Sequence, residues 1–155
     1  VSPIPTPPIP MVHVEDSITI DAPLDEVFDY LDTPENQVEI TPSLRASELI
    51  ERLDNGGSHV RFTYSMAGIS LDGEVRATTY EPNERIEFEM TNGPLDGTIT
   101  WTFDADGGAT HVTYAADYTV PTPVLQSVAE AFAQRYNERE LQTTLQNLKD
   151  RLEAA

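Results

Sequence analysis

The 155 residues carry 27 acidic side chains against 9 basic ones, a formal charge of -18 at pH 7. That balance argues against nucleic acid as a partner, which needs a basic footprint, and the absence of cysteine excludes disulfide staples and thiol chemistry. The acids are dispersed along the chain and Lys149 is the only lysine; a charge so far from zero pushes a compact fold apart unless salt screens it, so the composition points to a cytoplasmic protein of a salt-rich cell.

The length suits a single globular domain with a real core. Val1 to Pro10 hold five prolines and no charge, a polyproline-like stretch that is neither a signal peptide nor a transit peptide. The expected organisation is a proline-rich leader over 1–11, added to the natural chain or an extension of it, and one domain over 12–155. No apolar run approaches the roughly 18 residues of a membrane helix.

Val14, Ile18 and Ile20 outline a first strand that stops at Asp21-Ala-Pro23. Leu24, Val27, Phe28 and Leu31 then recur at helical spacing, with Asp25 and Glu26 at the favoured amino end. Thr33-Pro34-Glu35 opens a second short helix that ends before Pro42. Period-2 strands follow. Val60, Phe62, Tyr64 and Met66 alternate with polar residues; Ile69, Leu71, Gly73 and Val75 continue past a turn near Gly68; Ile86, Phe88 and Met90 lie between turns at Pro82-Asn83-Glu84 and Asn92-Gly93-Pro94. Ile99, Trp101 and Phe103 precede Asp106-Gly107-Gly108, and Val112, Tyr114, Ala116 and Tyr118 complete the run. One apolar face per strand is the mark of an antiparallel sheet covered on one side.

The cover is a terminal helix from about Thr122 to Ala155, and its pattern contains a conflict. Leu125, Val128, Phe132 and Tyr136 fall on one side at about 100° per residue, whereas Leu141, Leu145, Leu148 and Leu152 fall nearly opposite. Either the helix bends or shifts register between Gln134 and Glu140, bringing Phe132 to the interior, or one stripe meets a second subunit or the leader.

The segments Ile20-Asp-Ala-Pro-Leu-Asp-Glu-Val-Phe-Asp-Tyr-Leu-Asp32, Pro34-Glu-Asn36, Thr79-Tyr-Glu-Pro-Asn-Glu-Arg-Ile86, Gly107-Gly-Ala-Thr-His-Val112 and Asn147-Leu-Lys-Asp-Arg-Leu-Glu153, in this order, resemble the START-like or SRPBCC superfamily. The resemblance is to its polyketide cyclase/dehydrase and lipid-transport-like members, here of halophilic archaeal type. It departs at Val38-Glu-Ile40, where that family often has a tryptophan. The resemblance implies an α+β helix-grip fold, a curved antiparallel sheet wrapped around a long C-terminal helix with an internal cavity.

On that reading the apolar strand faces line a pocket. The candidate ligand-binding residues are Phe62, Tyr64, Met66, Phe88, Met90, Trp101, Tyr114, Tyr118 and Phe132, a set of aromatics and methionines suited to a small apolar or aromatic ligand. Tyr64, Tyr114 and Tyr118 stand out, because a buried phenol needs a partner that ligand or water can supply. No catalytic residue is placed, and neither a cofactor nor a metal is called for. His59 and His111 share the parity of solvent-facing residues, as do Asp72, Glu74, Glu87 and Glu89. Asp104-Ala-Asp-Gly107 starts like a calcium loop, but Ala115 stands where the twelfth position needs Glu. The leading function is binding or transport of a small hydrophobic ligand by a monomer or homodimer. The alternatives are a polyketide cyclase/dehydratase-like enzyme and a partner-binding module, and an inward carboxylate near Tyr64 or Tyr114 would favour the enzyme.

Overall fold

Alternation of apolar and polar residues is the local signal for strands that bury one face, and seven such strands pair into one antiparallel sheet in the computed structural model, which describes residues 11–66, 68–119 and 130–154. They are β1 (Met11–Ile20), β2 (Leu44–Arg52), β3 (Ser58–Met66), β4 (Ile69–Glu81), β5 (Arg85–Thr91), β6 (Gly97–Asp106) and β7 (Ala109–Thr119). The order is β1-β7-β6-β5-β4-β3-β2, a meander whose last strand returns to the first. Between β1 and β2 run α1 (Leu24–Leu31), a 3-10 turn at Pro34–Asn36 and α2 (Gln37–Ile40), and α3 (Glu130–Glu153) closes the fold. This is the expected α+β helix-grip arrangement, a curved open sheet around a C-terminal helix.

Turn chemistry sets the hairpins where the sequence places them. Gly107 adopts φ 62°, the left-handed conformation that a two-residue β6–β7 connection requires, so the calcium-like Asp104-Ala-Asp-Gly segment is a strand end and a turn. Asn83 (φ 64°) and Asn92 (φ 52°) serve the neighbouring turns. Register shifts in β2 and between Ala77 and Thr79 of β4 bend the strands, as bulges do. Strand β1 begins at Met11, which pairs with Thr119, one residue before the domain start expected at position 12.

Inward side chains of the strands, with Val27, Phe28 and Leu31 of α1 and Ile40 of α2, make one core. Helix α3 packs on β1 and α2. Its buried stripe is Ala133, Asn137, Leu141, Thr144, Leu145 and Leu148, a single row at helical spacing along an uninterrupted α-helix. The expected break between Gln134 and Glu140 is therefore absent. Ala133 and Asn137 continue the leucine row inward, which leaves Phe132 54% exposed, while Leu125 and Val128 lie outside the described residues. Strand β2 escapes the alternation rule because it is an edge strand with no fully buried side chain, and nothing in its pattern marks it.

The helix also seals a sheet edge. The side-chain amide of Gln134 accepts from the backbone N–H of His13 (3.1 Å) and donates to its carbonyl (2.6 Å), taking the place of a neighbouring strand. Farther along, Lys149 donates to the Thr19 carbonyl (2.9 Å) and the Asp21 N–H donates to Glu153 (2.9 Å).

Candidate ligand-binding site

Between the concave face of the sheet and α3 lies a cavity of about 190 Å³. Of the nine residues singled out from the sequence, Phe62, Tyr64, Met66, Phe88, Met90, Trp101, Tyr114 and Tyr118 line it. Their shared parity brings them together: Trp101 and Tyr114 are cross-strand partners, and their rings meet edge to face at 4.7 Å and 73°. Phe62 lies opposite Gly73 on β4; a Cβ on Gly73 would stand 3.0 Å from the Phe62 ring, so the missing side chain gives that ring its place. Phe132, the ninth residue, is corrected by the structure, since it points away from the wall and into solvent.

The apolar wall is interrupted at the α3 side by a polar group of residues. The Tyr64 hydroxyl donates to the Glu140 carboxylate and also to Oδ1 of Asn137 at 3.3 Å. Glu140 accepts a second bond from the backbone N–H of Ser43 at 2.7 Å, and the Ser43 hydroxyl meets that of Tyr136. The Asn137 amide donates back to the Ala133 carbonyl at 2.7 Å, one turn earlier on α3. Tyr118 is different. It is 6% exposed, and among the described residues its hydroxyl has no hydrogen-bond partner.

Burial dominates the electrostatics here. Desolvation pushes the Tyr64, Tyr114 and Tyr118 phenols far above the ordinary tyrosine range, with the Glu140 charge adding in the same direction for all three. These hydroxyls stay protonated and act as neutral hydrogen-bond donors. Outside the cavity, Tyr80 donates to Asp32 (2.7 Å), which also receives Arg52 (3.0 Å). Burial, then the Asp32 bond, pushes Tyr80 up to about 12. That cluster ties the end of α1 to β2 and β4.

None of the three histidines lines the cavity beneath α3. His59 is more enclosed than its parity implied: its side chain is 15% exposed and pairs with Glu74 at 2.6 Å, so Glu74 is not simply a solvated surface carboxylate. His111 bonds Thr19 at 3.0 Å and His13 bonds Asp117 at 2.6 Å. Among the described residues no cluster of His, Asp and Glu has the makings of a metal site, and no helix is long and apolar enough to cross a membrane.

Over residues 11–153 the sequence matches the family described as polyketide cyclase / dehydrase and lipid transport. The chain belongs to that family. Among curated proteins none matches it in sequence. Solved structures of the same fold include a protein from Thermus thermophilus, at 18% identity and TM-score 0.79, covering 92% of this chain and 97% of the other. A START superfamily protein from Mycobacterium smegmatis is 15% identical with TM-score 0.76 over 92% and 97% of the two chains. Zhui aromatase/cyclase from Streptomyces sp. R1128 is 20% identical with TM-score 0.74 over 92% and 94%. At these identities the likeness establishes a shared START-like fold.

Within this polyketide cyclase/dehydrase and lipid-transport fold, several lining residues escape a reading of the sequence, the polar ones of α3 among them. Glu140, Asn137 and Thr144 line the cavity from α3, yet each is polar in a helix whose exposed face is also polar. The available signal was the buried row itself: Asn137 stands four residues before Leu141, and Thr144 stands four before Leu148.

Proposed function

We propose that this protein binds or carries a small hydrophobic ligand, apolar or aromatic, in the cavity beneath α3. The observation that carries this reading is the cavity itself, walled mainly by aromatic and aliphatic side chains with polar groups from α2, β2, β3 and α3 among them. The eight wall residues foreseen from the sequence are the proposed ligand contacts. The proposed domain is the stretch from 12 to 155, with the proline-rich residues ahead of it a leader. A cytoplasmic, salt-rich setting fits the formal charge of -18.

Titration of Trp101 fluorescence with apolar aromatic compounds tests the reading. Binding should quench or shift the emission of a buried indole in the wall. Val75→Phe, which places a ring in the void from a half-buried wall position, should weaken binding at least about tenfold while the fold survives. Native mass spectrometry of protein from its natural host should show a retained small molecule. An empty protein that no apolar aromatic compound perturbs would overturn the proposal.

One observation favours a second reading, a cyclase or dehydratase. Glu140 is an inward carboxylate beside Tyr64, placed to take a proton from a carbon acid held in the cavity. Loss of turnover in Glu140→Gln with retained ligand binding would support it; binding without turnover of any reactive ketide would remove it.

A further inference from the structure

The cavity wall contains no cation, and the reason lies in the whole chain. Every basic residue is accounted for: the arginines are all exposed, and Lys149 is half-buried at the helix surface. None of them, and none of the three histidines, lines the cavity. The undescribed stretches 1–10 and 120–129 hold no Lys, Arg or His in their sequence. The charged residue on the wall is Glu140, already occupied by Tyr64 and the Ser43 N–H. A buried anion in such a place would lose its hydration, meet a like charge and find no counter-ion.

The second observation is the Tyr118 hydroxyl. A buried polar atom without a partner costs free energy in a folded protein, and this one belongs to a residue of the cavity wall, so a ligand oxygen that reaches it would satisfy it. Its neighbour Asn137 accepts a long bond from Tyr64 at 3.3 Å and donates to the Ala133 carbonyl, and its side chain lies near enough to Tyr118 to lower that phenol against the larger effect of burial. Among the fully buried side-chain polar atoms of the described residues, the Tyr118 hydroxyl is the one left without a partner, and it belongs to a residue of the wall.

Resting on the binding function proposed above, we infer that the cavity selects a neutral ligand bearing one ketone or hydroxyl oxygen, which pairs with the Tyr118 hydroxyl, and rejects carboxylate-bearing ligands such as fatty-acid anions. The apolar body of the ligand lies against Phe88, Trp101 and Tyr114, and its oxygen points toward α3.

Equilibrium dialysis near neutral pH, in high salt, with naphthalene, 2-naphthol and 2-naphthoate tests the inference on one ring system. For the wild-type protein, 2-naphthol should bind about fivefold to tenfold more tightly than naphthalene, and 2-naphthoate at least about a hundredfold more weakly than 2-naphthol. Tyr118→Phe should abolish the advantage of 2-naphthol over naphthalene. Glu140→Gln should recover part of the lost 2-naphthoate affinity. The wild-type ranking stands even if a variant fails to fold. Naphthalene binding as tightly as 2-naphthol, or 2-naphthoate binding best, would overturn the inference while leaving the cavity a binding site. Failure of all three compounds to bind would overturn the binding function itself.

Discussion

The Tyr64 hydroxyl on β3 donates to the Glu140 carboxylate on α3, joining positions 76 residues apart in the chain. The bond ties the sheet to the helix at the cavity wall, and it shares its acceptor with the N–H of Ser43 just before β2. One carboxylate thereby holds three parts of the fold in place.

A double-mutant cycle of Tyr64→Phe and Glu140→Gln should return a coupling of about 1 to 3 kcal/mol, the range for a hydrogen bond to a charged group away from full solvent. Denaturant midpoints of the four proteins measure it. A coupling near zero would mean that the sheet and helix hold together without this contact.

Leu148 is fully buried in the α3 stripe, and Phe132 is 54% exposed on the same helix. Leu148→Ala should therefore cost about 2 to 5 kcal/mol, and Phe132→Ala no more than about 0.5 kcal/mol. Chemical denaturation of both variants checks the contrast. A large loss from Phe132→Ala would show that its ring is covered in solution.

Tyrosine ionisation should be delayed and cooperative. Burial raises Tyr64, Tyr114 and Tyr118 well beyond the ordinary range, raises Tyr80 to about 12, and also raises Tyr30. Each group has its folded pKa above the unfolded value near 10, so its contribution to stability is complete below about pH 10 and is lost as pH rises through the folded value. Ultraviolet titration should show the Tyr64, Tyr114 and Tyr118 phenols ionising only in a steep rise that coincides with loss of native circular dichroism. A smooth titration centred near pH 10 with the fold intact would contradict the buried placement of these rings.

Salt should govern folding. Eighteen excess negative charges repel one another across a small domain, and the screening length contracts from about 10 Å at 0.1 M salt to about 3 Å at 1 M. The melting temperature should climb steadily as KCl is raised from millimolar to molar concentration. A flat profile would disconnect the acidity from any salt-rich setting.

Most of the sheet was legible because residues such as Phe62, Tyr64 and Met66 bury on a two-residue period that no other structure shares. Eight of the cavity-lining side chains followed from the same parity, and turn residues such as Asn83, Asn92 and Gly107 fixed the hairpins. Strand β2 was not legible, since an edge strand with one partner and little burial need not alternate. The inner row of α3 was misread for a different reason. Ala133, Asn137 and Thr144 bury without being strongly apolar, whereas Phe132 is apolar without being buried. Hydropathy reports what a side chain costs in water, and a cavity wall also recruits residues by what they can bond.

The Gln134 amide laid along His13 carries a consequence for the crowded solution in which such an acidic protein would stay soluble. Charge keeps copies of a protein apart only while it is felt beyond contact distance, and concentrated salt removes that reach. What remains is the shape of the exposed backbone. On β1 the N–H and carbonyl of His13 are already occupied by a side chain; at the other border, the Leu49 N–H of β2 points to Glu35 at 3.4 Å, and the strand slips register twice within its length. Neither border offers a straight run of free amides for a second sheet to join.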